Sequence, residues 1–555
     1  MYETTPLIID ETSNLWNNIT GFVNPNPTKM TAFGVCGPSL FGIVHTGTQQ
    51  EGKAGCQIVL LDQPSEEGVK WTFPAYCSYK KDDVITIMLP NVPMAVYLLY
   101  AVNQIGAIAN LVHPLMKEEQ LTGIMQRANS KILFTLDSNV RHLRNLKKLG
   151  VTIYAVSPVD ELNLFAQLAY AMKRKHRVKA PFAHRLCTIK YLIKADRDFK
   201  KDSFYLHSGG TTGEPKTIAL SSFSLNSLAV SGLKILDEKS PKGLGMLAVL
   251  PMFHGFGLCM GIHSSLIFGA FDVLMPKFST KEVINYLKRG QLQTIIGVPI
   301  LYEALLHNKH FNGHNVSCIH NAFVGGDFVN ESLIIRFNER MKEGNARARM
   351  YEGYGLTETV TVCTVNTHPH HRYGSVGRPI PFTDTKAFDK GKELKPNTYG
   401  ELYVRGDTLM NGYRFEKIKT NPFFIDKKKR KWVKTGDYGK VDRQGYVYFG
   451  QRLKRIIKVN GINIFPKEIE NEIAKLPYVY ECYAKGVKDD RHGNIIILYV
   501  VLDRKNQEKK NYDQEFNSII ENKFSVYALP KKIIYMKELP KTLVGKIDEK
   551  QLKDE

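Results

Sequence analysis

From Asp83 onward, short apolar runs alternate with stretches of helical spacing. VITIML (84–89) has the length and β-branched content of a buried strand, and PMAVYLLYAVNQIG (93–106) reads as a helix that stops at Gly106. AIANLV reads as the next strand, and the alternation runs to about residue 350 through KILFTL, TIYAV, MLAVLP, FDVLMP and TIIGVP. Strand and helix in turn predict an α/β body of parallel sheets covered by helices. From about residue 370 the texture changes: GELYVRGD (400–407) and KWVKTGDYGKVDRQGYVYFGQ (431–451) read as short strands joined by Gly and Asp turns, a small β-rich subdomain. The last hundred residues read as a compact α+β module, with a helix over 466–476, a strand over 495–502, a helix over 513–524 and a closing strand. The expected organisation is a large body over 1–450, a joint over 451–456 and a small domain over 457–555. Residues 1–80 are frequent in Gly, Pro, Asn and Thr and show no long helical period.

Composition narrows this picture. The 555 residues are 43% hydrophobic, 10% aromatic and 23% charged, globular values that exclude wholesale disorder, collagen and coiled coil. Lys and Arg exceed Asp and Glu, 76 to 54, for a net charge of +22. The excess fits either a lysine-rich surface or a polyanionic ligand: nucleotide, coenzyme, nucleic acid or anionic lipid. Two basic runs, KRKHRVK (173–179) and KKKRK (427–431), read as solvated loops, with contact to coenzyme phosphates or an anionic membrane surface as the alternative. No nucleic-acid recognition motif accompanies the charge, so no nucleic-acid partner is expected. None of the eight cysteines lies two or three residues from another, which leaves zinc ribbons and redox pairs unsupported; the expected compartment is reducing and cytoplasmic. The longest apolar stretch, 94–112, is interrupted by Asn103, Gln104, Gly106 and Asn110 and falls short of the ~20 mostly apolar residues of a membrane span.

Five windows carry candidate chemistry. FYLHSGGTTGEPKTIALSS (204–222) sets Ser208, Gly209, Gly210, Thr211, Thr212, Gly213 and Lys216 between two predicted strands. The glycines let backbone N–H groups point inward, the hydroxyls add donors and the lysine a point charge, which suits a polyphosphate; a flexible hairpin is the bland alternative. A Walker loop would need Gly-Lys-Ser/Thr leading into a helix. YEGYGLTET (351–359) ends in Thr357 and Glu358, a hydroxyl and a carboxylate able to hold a phosphate and Mg²⁺, or simply to begin a helix. In WVKTGDYG (432–439), Asp437 follows a Thr-Gly turn and could accept from ribose hydroxyls. QRLKRIIKVNG (451–461) contributes Arg452, Lys454 and Lys458, and LPKTLVGKID (539–548) contributes Lys546.

In this order and with these separations, together with PMFHGFG (251–257), GVPILYEAL, VGGD (324–327), GSVGRPIP and GELYVRGDTLMNGY (400–413), the windows resemble the adenylate-forming superfamily from about Asp83 to Leu552. Within it the motifs look most like bacterial long-chain fatty-acid–CoA ligases. The resemblance implies ATP and Mg²⁺, a fatty or other carboxylic acid, and coenzyme A as co-substrate. It implies that Ser208 to Lys216 hold the β- and γ-phosphates, Thr357 the α-phosphate and Glu358 the Mg²⁺. Gly325, Gly326 and Asp327, with Glu352, Gly353 and Tyr354, would shape the adenine slot. Asp437 would take the ribose with support from Arg452. Lys546 would serve acyl-adenylate formation from a mobile small domain. Lys454 matches the hinge, and the loop from Lys458 to Gly461 would line the thiol's entry in the second half-reaction.

His254 stands where amino-acid-activating relatives carry Asp, which disfavours an amino-acid substrate. Gly257 and Gly261 fall on one helical face, where small residues either leave an alkyl tunnel or allow close helix packing. The sequence departs from the family pattern at Thr217, Gln451 and Arg455, where Gly, Gly and Asp are common. Acyl-AMP ligases that load a carrier protein, and CoA ligases of aryl or other acids, are the alternative readings.

Overall fold

A computed structural model describes residues 82–104, 106–156, 199–208, 216–236, 241–368, 370–415, 421–503, 512–541 and 547–553, together with the backbone of a few short strands outside these ranges. The N-terminal 1–80 segment, the run at 173–179 and Lys546 therefore lie outside the described side chains. By contacts the chain divides into two compact units. One spans Met1–Ser208, Lys216–Asp384 and Val404–Pro422; the other includes Thr385–Tyr403 and Phe423–Glu555.

In the first unit the predicted alternation forms two sheets. The first runs Gly412–Arg414, Thr217–Ser221, Asp202–His207, Ile108–Leu111, Val84–Met88, Ile132–Leu136, Thr152–Val156 and His184–Leu186. From Asp202–His207 to its far edge all neighbours are parallel. The second runs Phe271–Leu274, Gly245–Ala248, Thr294–Gly297, Asn321–Val324, Met350–Gly355, Val362–Val365 and Arg378–Pro379, parallel through its first five strands. Such strands are buried on both faces, which is why they read as continuous apolar runs rather than alternating ones. Val84–Met88 is buried at four of its five positions, and Asn321–Val324 at all four.

The connecting helices begin and end where their sequences dictate. Pro93–Gln104 is followed by Gly106 at φ 71, with Gly106 N–H donating to Asn103 O at 3.0 Å and Ala107 N–H to Val102 O at 3.1 Å. Glycine suits this left-handed cap because it has no Cβ to clash. Ser222–Ile235 opens on a reciprocal box between Ser221 and Ser224 that satisfies two N–H groups of the first turn. The core under the second sheet joins Tyr302, Phe311, Phe337 and Met350 to its strands, all at or near zero exposure. No helix among the described residues is long and apolar enough to cross a membrane.

The second unit is β-rich at its start. A sheet orders Lys392–Glu393, Thr383–Asp389, Gly400–Gly406, Lys431–Val441 and Phe423–Ile425, with Val447–Arg452 also paired to Lys431–Val441. The boundary between the units passes through Thr383–Asp389 and Gly400–Gly406. Beyond it, Val479–Asp489 and Gly493–Leu502 pair antiparallel, and Lys532–Met536 adds a parallel strand. Helices Pro466–Ile473 and Asp513–Lys523 share a core with them through Ile469, Ile473, Phe516 and Ile520. This is the α+β pattern read from the last hundred residues.

Candidate active site

In the first unit, Asp202–His207 and Thr217–Ser221 form the two antiparallel strands expected around the Gly/Thr loop, in register from Phe204↔Leu220 to His207↔Thr217. Ser208 N–H donates to Lys216 O at 3.0 Å, and Lys216 N–H to Ser208 Oγ at 3.3 Å, so the two ends of the loop are tied together. Gly209, Gly210, Thr211, Thr212 and Gly213 lie outside the described residues. Next to Ser208 in the chain, His207 Nε2 is 2.7 Å from Asn110 Oδ1 and Nδ1 is 3.4 Å from Thr217 Oγ1. Burial, and then the Arg127 charge, push the imidazole down to about 4, so it is neutral at pH 7. Thr217, the departure after Lys216, is buried.

Strand Met350–Gly355 leads into a single 3₁₀ turn, Thr357–Thr359, rather than a longer helix. The reversal is tight. A Cβ on Gly355 would stand 1.6 Å from Thr361 O, and Val360 takes φ 65, a costly conformation for a β-branched residue. Thr359 Oγ1 donates to Leu356 O at 2.9 Å across the turn. Thr357 and Glu358 are left half-buried, and Glu358 Oε1 accepts from the Tyr413 hydroxyl at 2.8 Å. The same Tyr413 ring lies under the Lys216 ammonium, 4.5 Å from Nζ to the centroid. The structure thus brings Lys216 and Glu358 together through a residue the motif reading did not single out. Tyr413 ends the stretch GELYVRGDTLMNGY, but no spacing in the sequence ties it to Glu358, 55 positions away.

Of the residues expected to shape an adenine slot, Gly325–Asp327 follow strand Asn321–Val324 while Glu352–Tyr354 lie within the adjacent parallel strand Met350–Gly355, with Val324 paired to Glu352. Gly325 and Gly353 pack so closely that a Cβ on Gly325 would stand 2.7 Å from Gly353 O. Gly326 has φ 82. Asp327 is exposed and accepts from Phe328 N–H at 2.8 Å. Tyr354 packs against Leu356, Cys363 and Val404. Burial pushes the Glu352 carboxyl up to about 8, so it carries a proton at neutral pH and can donate a hydrogen bond.

The stretch after PMFHG departs from the expected α-helical face: Phe256–His263 winds as a π-helix, a form concentrated at functional sites. A Cβ on Gly257 would meet Leu250 O and Pro251 O at 2.2 Å, so this glycine serves close backbone packing. A Cβ on Gly261 would meet only Phe256 O, at 3.8 Å. His254 is half-buried, its ring 4.6 Å from that of Phe253, which in turn lies tilted against His113 at 4.7 Å. Deeper in, His263 is held between the Tyr100 hydroxyl, 3.0 Å from Nδ1, and Asn226 Oδ1, 2.9 Å from Nε2. Because Asn226 Oδ1 only accepts, Nε2 carries the proton and Nδ1 accepts from tyrosine. Burial holds this imidazole down at about 3.

In the second unit, Asp437 sits inside the eleven-residue strand Lys431–Val441 rather than in the expected β-turn; Gly436, at φ 71, is a local kink within that strand. Asp437 is fully buried and pairs in register with Arg452, whose Nε is 2.8 Å from Oδ1. Lys454 is exposed on the 3₁₀ turn Leu453–Arg455. Arg455 reaches Glu470 Oε1 at 2.6 Å and lies over the Tyr483 ring at 4.4 Å, which accounts locally for arginine at this position. Gln451 is buried, and its Oε1 accepts from Lys467 N–H at 3.4 Å. Lys458 is exposed on the hairpin Ile457–Val459/Ile462–Ile464, whose Asn460-Gly461 turn has φ 50 and 79, the signature of a two-residue type I′ connection.

Among the described residues no three His, Cys, Asp or Glu side chains cluster as metal ligands. A Mg²⁺ bound mainly by phosphates and one carboxylate fits the chemistry of Glu358, an oxygen donor on a half-exposed turn.

The family model for AMP-binding enzymes matches residues 77–414, and that for the AMP-binding enzyme C-terminal domain matches 468–546. The long-chain-fatty-acid–CoA ligase of Bacillus subtilis (strain 168) is 28% identical over 496 residues, covering 86% of each chain. The indoleacetate–CoA ligase of Aromatoleum aromaticum is 29% identical over 345 residues, 61% of this chain and 64% of that one. Among solved structures, o-succinylbenzoate CoA synthetase from Bacillus subtilis in complex with the acyl-adenylate intermediate OSB-AMP superposes with a TM-score of 0.69 at 24% identity, covering 86% of this chain and 89% of that one.

Proposed function

The chain belongs to the adenylate-forming, AMP-binding enzyme family, and we propose that it activates a fatty acid with ATP and Mg²⁺ and passes the acyl group to coenzyme A. The carboxylate attacks the α-phosphorus, pyrophosphate leaves, and an acyl-adenylate forms. The thiol then attacks the acyl carbon, AMP leaves, and a thioester forms. The observation that carries this reading is the Lys216–Tyr413–Glu358 arrangement, at 4.5 and 2.8 Å, where Lys216 ends a sequence stretch rich in Gly and Thr. It holds on one phenol the cation and the carboxylate that this reading assigns to phosphate and to metal.

The chain's own groups are assigned as follows. Ser208 to Lys216 hold the β- and γ-phosphates, and Thr357 positions the α-phosphate. Glu358 holds Mg²⁺, which would neutralise phosphate charge. Glu352, protonated at neutral pH, and the Gly325–Asp327 turn border the adenine. Asp437, held by Arg452, is assigned to the ribose, which it would accept from only once its buried carboxylate is uncovered. Lys546 stabilises the charge that develops as acid and α-phosphate meet, a preorganised electrostatic contribution of about 3–4 kcal/mol. Lys454 serves as the hinge and Lys458 acts in thioester formation. Preference for a fatty acid is supported by the relative matched over 86% of both chains.

The relative named indoleacetate–CoA ligase favours a second reading, a CoA ligase of an aryl or other acid. Release of AMP across C2 to C18 fatty acids and several aryl acids, with and without CoA, separates the two. The fatty-acid reading expects a maximum among alkyl chains that depends on CoA. A maximum on aryl acids would replace it, and pyrophosphate exchange with no CoA-dependent thioester would point to a carrier-protein acceptor.

A further inference from the structure

We propose that Tyr413 is a positioning residue that couples nucleotide phosphate binding to metal binding; the inference rests on the adenylation reading above. Strand Gly412–Arg414 closes the edge of the first sheet, with Ile218 opposite Tyr413 and Thr217 opposite Arg414. The strand is anchored on both sides of the tyrosine. Arg414 grips Asp202 through Nε–Oδ2 at 2.7 Å and Nη2–Oδ1 at 2.8 Å, a bidentate pair. Before it, Asn411 N–H donates to Ala219 O at 2.8 Å, and Met410 N–H donates to Glu358 O at 2.9 Å. These bonds fix the phenol against the two ends of the chemistry.

Its two halves do different things. The ring face is a negative surface that attracts the Lys216 ammonium and keeps the flexible side chain over the sheet edge before any phosphate is present. The hydroxyl donates to one oxygen of Glu358, which fixes the rotation of the carboxylate while leaving its lone pairs able to bind a cation. A side chain held in place before binding loses less freedom on binding. The ring therefore contributes to ATP binding with or without Mg²⁺, whereas the hydroxyl contributes only when Mg²⁺ is present.

Calorimetric titration of ATP into the full chain, in Mg²⁺ and in EDTA, reads both halves without turnover. Tyr413→Phe is expected to weaken binding three- to tenfold in Mg²⁺ and to leave binding in EDTA unchanged. Tyr413→Leu is expected to weaken both, and to add nothing in EDTA when Lys216 is already alanine, the non-additivity of a coupled pair. Thermal unfolding of each variant accompanies the titrations, and Tyr413→Phe keeps the ring packing should the leucine variant fail to fold. Equal losses in Mg²⁺ and EDTA for Tyr413→Phe, or none in either, would overturn the proposal while leaving adenylation standing. A wild-type chain that binds no ATP in either buffer would remove the adenylation reading and this inference together.

Discussion

Asp437 and Arg452 face each other across two antiparallel strands, 2.8 Å from Oδ1 to Nε, with the carboxylate fully buried and the guanidinium side chain 54% exposed. A carboxylate taken out of water needs a compensating charge or donors, and here the charge comes from a residue that keeps one side in solvent. At the left-handed Gly436 the neighbouring backbone N–H groups find other acceptors rather than this carboxylate. Gly436 N–H reaches Glu401 Oε1 at 3.1 Å, and Asp437 N–H reaches Thr435 Oγ1 at 3.0 Å.

Arg452→Ala leaves that carboxylate without its ion-pair partner. The cost is expected at about 1–3 kcal/mol, below that of a wholly buried pair because the arginine is half in water. Calorimetric unfolding should show a lower midpoint, and the double variant with Asp437→Asn should recover part of the loss. An unchanged midpoint for Arg452→Ala would contradict a stabilising pair.

Glu352 makes stability depend on pH in a defined direction. Its carboxyl, ordinarily near 4.5, is pushed up to about 8 by burial. Between these values the folded chain holds a proton that the unfolded chain has released. The contribution is therefore complete below about pH 4.5 and is lost as pH rises through about 8. The ligand-free Tm should fall more steeply with pH across this window in the wild type than in Glu352→Gln. Parallel profiles would show that Glu352 is ionised throughout.

The two glycines of the π-helical segment should respond differently to a methyl group. Gly257→Ala drives a Cβ to 2.2 Å from the carbonyls of Leu250 and Pro251, and is expected to cost about 1–3 kcal/mol or more. Gly261→Ala meets only an ordinary contact at 3.8 Å and should stay within about 0.5 kcal/mol. Denaturation midpoints check the contrast, and the acyl-chain profile of Gly261→Ala tests whether alkyl groups pass this position.

The two half-reactions should be separable by single substitutions. Lys546→Ala is expected to slow acid-dependent pyrophosphate exchange by about 10²–10³-fold, while thioester formation from supplied acyl-AMP keeps most of its rate. Lys458→Glu should do the reverse. A loss of both steps in both variants would contradict separate roles for these lysines.

The strand–helix alternation from VITIML to TIIGVP was legible because buried parallel strands carry unbroken apolar runs of characteristic length. The family resemblance is borne out by the match over 77–414 and 468–546. What stayed hidden depended on pairing between distant segments. Tyr413 meets Glu358 only because strand Gly412–Arg414 inserts beside Thr217–Ser221, and no local pattern encodes that register. The Thr-Gly-Asp at 435–437 looks like a turn because glycine favours one, yet a single left-handed residue is absorbed inside a long strand. The π winding of Phe256–His263 has the same apolar content as an α-helix and leaves no mark in composition.

Isotope transfer tests adenylation most directly. Fatty acid carrying ¹⁸O at both carboxylate oxygens is incubated with the wild-type chain, ATP, Mg²⁺ and CoA, and the nucleotide product is weighed. If the carboxylate attacks the α-phosphorus and the thiol then cleaves the acyl–oxygen bond, each AMP carries one ¹⁸O and one acyl-CoA appears with it. AMP free of ¹⁸O, or label recovered in inorganic phosphate alongside ADP, would contradict an acyl-adenylate intermediate.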